Sequence, residues 1–200
     1  MTLRTDYRAL AGQTTLRIIA KAAISLLVVG LAALVSREGS ALAIIIIFTG
    51  VTGPAIRLVT MKIDGTYIRV IVSPVSKARF FLGFAGLWTV AVLLPLVPSI
   101  AVVAIRDGPV TLLSVILGTI LATILGTLAG LVSRGLSDTH LAALGIAGLL
   151  IVLSLIRTPV SAFLLYASLT YPSVNPAALI TPVILPAIAI AVLAVAASRS

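Results

Sequence analysis

The sequence predicts an all-α membrane protein with six transmembrane helices and a short cytoplasmic helix between the second and third. The first observation is composition: 60% of the 200 residues are hydrophobic, 10% are charged, and the mean hydropathy is +1.28. A soluble domain could not bury that much apolar surface. The second is that all five acidic residues lie between or outside apolar stretches long enough to cross a bilayer, about 20 residues each. We therefore expect residues 1–200 to form one transmembrane domain.

The first three expected spans cover residues 14–36, 41–60 and 78–105. The first begins with Arg17 and Lys21, whose long side chains can reach the interface. Its basic start also resembles a signal peptide, but the apolar stretch merges into further spans. Residues 1–13 form either a short amphipathic surface helix or a flexible tail.

The last three expected spans cover residues 110–132, 139–156 and 177–197. In the fourth span, small residues recur at every fourth position: Gly118, Ala122, Gly126 and Gly130. Such spacing lets helices approach closely in lipid, either within one chain or between subunits. Residues 157–172 are apolar but too short to cross alone, which favours a re-entrant or interfacial segment.

The link at residues 61–77 is the one long segment that mixes charges, turn residues and apolar side chains. The Asp64-Gly65-Thr66 sequence predicts a turn and a helix start, with Asp64 or Thr66 as the N-cap. One or two helical turns follow, with Tyr67 on the apolar face and Arg69 on the other. The helix should end at Ser73-Pro74, because proline disfavours helix at the residue before it. Ser76 can then cap a new helix that begins at Lys77.

This link resembles the permease subunits of type-2 ABC exporters. The family pattern is Gly-Thr-Leu-Glu, an apolar run, Ser-Pro-Val-Ser, a basic residue and Leu-Gly-Lys. The matching residues here are Gly65, Thr66, Ser73, Pro74, Val75, Ser76, Lys77, Leu82 and Gly83. The chain has Ile68 where the family usually has Glu, and Phe84 where it usually has Lys. The small size, without a large outer domain, is similar to the haem-exporter B-type permeases within that family.

The resemblance implies that the link forms a coupling helix that inserts into a groove on a separate cytoplasmic ABC ATPase. The residues that it assigns to this contact are Asp64, Gly65, Thr66, Ser73, Pro74, Val75, Ser76, Lys77 and Arg79. It also implies a second permease subunit, with a homodimer as the default arrangement. ATP and Mg would be bound by the partner ATPase, and this chain would bind no cofactor.

The sequence argues against several other chemistries. It contains no G-x-x-x-x-G-K-[ST] motif, and one histidine with no cysteine makes a transition-metal site improbable. No carboxylate lies in the middle of an expected span, which argues against a proton- or sodium-coupled transporter. We therefore expect no catalytic residues, no metal and no enzymatic activity in this chain.

The net charge of +9 is better explained by anionic lipid than by nucleic acid. With the amino terminus inside, 11 of the 14 Lys and Arg residues face the cytoplasm. This bias predicts a multi-pass protein of the cell membrane with both termini cytoplasmic. The expected function is ATP-driven export of an amphipathic or lipidic substrate, and the alternative is a non-transporting membrane scaffold or assembly factor.

Overall fold

A computed structural model describes residues 15–34, 38–72, 76–107, 110–155 and 180–199. These ranges contain seven α-helices and no β-strand. The helices are α1 (Thr15–Ala33), α2 (Glu38–Ile63), α3 (Thr66–Ile71), α4 (Lys77–Asp107), α5 (Val110–Val132), α6 (Leu136–Leu155) and α7 (Ile180–Arg199). The predicted all-α class is confirmed for this part of the chain.

Three of the described helices contain segments long and apolar enough to cross a membrane: Ser40–Ile63, Lys77–Ile105 and Val115–Val132. This count is lower than the six spans expected, so the six-span prediction is not supported within the described ranges. Two shorter apolar segments, Leu136–Val152 and Pro186–Ser198, lie in α6 and α7. The three long segments make the chain suited to an integral membrane protein.

Several expectations lie outside the described residues. They concern the amino-terminal segment 1–13, the Ser73-Pro74 break with the following Val75, the segment 157–172, and the beginning of the span expected at 177–197.

The α2 and α5 helices form the closest and most extensive helix contact among the described residues, and glycines on α5 allow this close approach. A Cβ on Gly126 would overlap the Val51 carbonyl oxygen and lie 2.9 Å from the Gly50 oxygen. A Cβ on Gly130 would lie 2.7 Å from the Ala55 oxygen. Because these neighbours are backbone atoms, the two helices touch along their main chains.

The other helices pack around this pair. The α4 and α7 helices lie against α5, while α6 lies against α2 and α1 lies against α4 and α2. Thr89 of α4 and Thr123 of α5 join their hydroxyls at 2.9 Å in the buried interior. Thr123 also donates to a carbonyl of its own helix, as membrane-helix threonines commonly do.

The helix ends near the link differ in detail from the expected boundaries. The α2 helix continues to Ile63, three residues beyond the expected end at residue 60, because no glycine or proline interrupts it there. The α4 helix begins at Lys77 as predicted, and the Phe80 N–H donates to the Ser76 oxygen at 3.0 Å. The link between long helices is therefore residues 64–76.

Candidate functional site: the link between α2 and α4

The link opens with a tight turn centred on Gly65. The Asp64 N–H donates to the Thr60 oxygen at 2.9 Å and closes the last turn of α2. Gly65 then adopts φ 75° and ψ 0°, a left-handed conformation that glycine enters without a Cβ clash. This residue is the N-cap of α3, so the expectation that Asp64 or Thr66 would occupy that position is wrong.

Asp64 instead accepts a local hydrogen bond within the turn. Its Oδ1 accepts a hydrogen bond from the Thr66 N–H at 3.0 Å. This bond and a side-chain hydrogen bond from Thr66 favour the carboxylate and lower the pKa of Asp64 below its ordinary value, with help from Arg57 and Arg69. A charged carboxylate at the start of α3 also suits the positive end of the helix dipole.

One face of α3 is attached to the bundle through aromatic packing. Tyr67 and Val70 pack against a buried cluster that joins α2, α4, α5 and α7. The Tyr67 and Phe81 rings lie with their centroids 6.2 Å apart. Phe81 is itself fully buried and meets Phe80 edge to face at 5.3 Å. The α3 helix is therefore fixed to the first turns of α4.

The opposite face of α3 is exposed and combines apolar and basic side chains. Ile68 is 63% exposed and Val72 at the end of the helix is 75% exposed. Arg69 lies on the same exposed side. The α3 helix therefore packs one half-buried face against the bundle and presents apolar and basic side chains on the other.

Lys62 connects the link to the end of α5. Its Nζ donates to the carbonyl oxygens of Leu131 at 2.6 Å and Ser133 at 2.8 Å. These carbonyls belong to the last turn of α5 and its following residue, where a helix has no internal donors and carries partial negative charge. The same nitrogen lies 5.6 Å from the centre of the Tyr67 ring.

The sequence did not assign Lys62 to the candidate site. Its partners are about 70 residues away along the chain, and a lysine at the end of an apolar helix ordinarily reaches toward water or lipid headgroups. The remaining basic residues of the site divide by exposure: Lys77 is half-buried and Arg79 is exposed. Ser76 is exposed, while the positions of Ser73, Pro74 and Val75 lie outside the described residues.

The described charged side chains around the link are too few and too scattered to form a metal site. Within the described ranges, no three His, Cys, Asp or Glu side chains come together in a way that could hold a metal ion. The small residues predicted to pack on α5 lie away from the link. Ala122, Gly126 and Gly130 contact α2, and Gly118 is buried in the same helix.

No protein-family model, curated protein or solved structure matches the chain.

Proposed function

We propose that the chain is the permease subunit of an ABC exporter and that α3 is the helix through which a cytoplasmic ATPase drives it. The observation that carries this proposal is the two-faced geometry of α3. Tyr67 holds the helix to the bundle, while Ile68 and Val72 remain exposed between two of the long apolar helices. The resemblance of residues 65–77 to the family pattern supports the same assignment.

The contacts of the link provide a path from α3 into the bundle. Lys62 bonds the end of α5 and lies over the Tyr67 ring, which in turn meets Phe81 of α4. A displacement of α3 would therefore act on α2, α4 and α5 together. In the proposed mechanism, closure of the ATPase dimer on ATP and Mg moves α3, and the resulting helix shifts open a path for an amphipathic or lipidic substrate.

The proposal requires more membrane crossings than the three long segments. The α1, α6 and α7 helices contain 19, 20 and 20 residues, so each is about 30 Å long, close to the hydrocarbon thickness. With these three crossing as well, the chain has six spans and both termini lie in the cytoplasm of the cell. A second copy of the chain would complete the transport path.

The absence of cysteine from the sequence gives a direct test. Val72→Cys introduces one thiol on the exposed side of the link, and Leu34→Cys introduces one after α1, where the side chain is 81% exposed. We expect a thiol crosslinker to join V72C to a cytoplasmic ABC ATPase in membranes, and L34C to give no such product. A membrane-impermeant maleimide applied outside intact cells should label L34C but not V72C.

Two results would contradict the proposal. Labelling of V72C from outside the cell would place α3 on the wrong side of the membrane. Failure of the wild-type chain to co-purify any ABC ATPase, with V72C giving no ATPase crosslink, would favour the scaffold or assembly-factor alternative.

A further inference from the structure

A cavity of about 350 Å³ lies on one flank of the bundle between α1, α2 and α4. Its volume falls within the range of small-molecule sites, about 300–1,000 Å³. Most of its wall is apolar, formed by residues that include Ile24, Val28, Ile45, Trp88, Val92 and Leu96. Among the described residues that line it, Lys21 alone is charged. The cavity therefore combines an apolar interior with one cationic group.

The hydroxyl groups on the wall are engaged with the protein. Thr49 donates to the Ile45 oxygen at 2.7 Å, and Thr52 donates to the Phe48 oxygen at 2.6 Å. Ser25 shares a buried hydrogen bond with Ser99 across the α1–α4 contact. These side chains present mainly carbon to the cavity, so the wall favours a ligand with an apolar body.

The depth of Lys21 follows from the register between α1 and α4. Both helices run in the same direction, because Ser25 bonds Ser99 while Lys21 and Pro95, each one turn earlier in its helix, line one cavity. The Ser25–Ser99 hydrogen bond sets their register, so Lys21, one turn before Ser25, lies level with about Pro95. Lys21 and Pro95 also line the same cavity.

This register places Lys21 deep along the apolar length of α4. Pro95 lies about 27 Å from the Lys77 end and about 15 Å from the Ile105 end of the candidate span, at a rise of 1.5 Å per residue. The Lys21 backbone therefore lies level with the interior of this apolar segment, and with α4 crossing the membrane it is at hydrocarbon depth. Ionisable side chains at such depth face cavities or partners and mark pathways for charged substrates.

We propose that this cavity binds a lipophilic organic anion, with its apolar body against the α1, α2 and α4 walls and its acidic group paired with the Lys21 ammonium. The Trp88 ring forms part of the wall, and its place depends on Gly53, since a Cβ there would lie 2.7 Å from Trp88 Cζ3. Binding at this cavity is independent of α3. Only the role of the anion as exported cargo rests on the proposed function.

Trp88 is the one tryptophan in the sequence, so the fluorescence of the purified chain reports on this cavity. The probes are a bromine-labelled stearate and its uncharged methyl ester, added to the chain in detergent micelles without any ATPase. We expect saturable quenching of Trp88, reversed by unlabelled stearate, with the carboxylate binding about tenfold more tightly than the ester.

Matched variants test whether the preference for the carboxylate depends on the positive charge of Lys21 or on the net positive charge of the protein. Lys21→Gln should remove the tenfold preference for the carboxylate, whereas Lys21→Arg should keep it. Arg134→Gln removes a like charge at an exposed position outside the cavity wall and should also keep the preference. Ala91→Phe, which adds a ring within the wall, should abolish saturable quenching while the circular dichroism spectrum stays that of the wild type.

The inference fails if stearate and its ester quench Trp88 equally, or if K21Q retains the carboxylate preference. It also fails if quenching never saturates, since bromine then reaches Trp88 only from the micelle. None of these results bears on the crosslinking of V72C to an ATPase. Conversely, a failed crosslink leaves the binding measurement unaffected, so the two proposals can fall separately.

Discussion

Replacing Gly126 with alanine tests the backbone contact between α2 and α5. The new Cβ would overlap the Val51 carbonyl oxygen and lie 2.8 Å from Pro54 Cγ. Neither group can rotate away as a flexible side chain could, so the helices must separate or tilt. Such overpacking costs about 1–3 kcal/mol. Alanine also gains up to about 1 kcal/mol of helix propensity over glycine, which offsets part of that cost.

Gly145 on α6 provides a control, because its replacement by alanine gains the same helix propensity as the replacement of Gly126. No heavy atom lies within 4 Å of the position that a methyl group on Gly145 would occupy, so Gly145→Ala gains propensity without a clash. We expect G126A to have a free energy of unfolding about 1–3 kcal/mol lower than G145A. The assay is reversible unfolding in mixed micelles by titration with dodecyl sulfate, followed by circular dichroism. A difference within about 0.5 kcal/mol would refute the close backbone contact.

Three further predictions concern the link and the buried hydroxyls. Lys62→Met removes two charge-assisted hydrogen bonds to the end of α5 and should cost about 1–3 kcal/mol in the same unfolding assay, whereas R79M, at an exposed site, should cost less than about 0.5 kcal/mol. Thr89→Val removes the bond to Thr123 and should cost about 0.6 kcal/mol, so an unchanged stability of T89V would mean that this bond contributes nothing. The lowered pKa of Asp64 means that its stabilisation of α3 is complete above the ordinary value of about 4 and is lost as pH falls through the lower folded value. Hydrogen-exchange protection of the α3 amides should therefore decline in that acidic window, and D64N, which cannot titrate, should show no such decline.

The sequence was sufficient to predict local features of the link. Ser76 before an apolar run predicted the start of α4, and the structure begins that helix at Lys77. The N-cap of α3 shows the limit of such predictions, because the sequence predicted Asp64 or Thr66 there and the structure has Gly65. Both residues favour a turn, and only the left-handed φ of Gly65 decides which of them precedes the first helical residue.

Contacts between distant residues could not be predicted in the same way. The Lys62 bonds to Leu131 and Ser133 depend on how far α2 extends past the end of α5. The depth of Lys21 depends on the register set by Ser25 and Ser99, which no local pattern encodes. Apolar composition likewise predicted six spans, whereas the described ranges contain three long segments, and the apolar segments Leu136–Val152 and Pro186–Ser198 are shorter.

The main-chain contact between α2 and α5 restricts how the bundle can change shape. Two helices with interlocked carbonyls cannot slide past each other by part of a turn without first moving apart, so we expect them to move as one rigid body. Pro54 of α2 lies within this contact, so we expect bending in other helices with a missing backbone donor. The α4 helix carries two prolines, Pro95 and Pro98, and Pro95 lies on the cavity wall, so bending there would change the volume of the cavity directly.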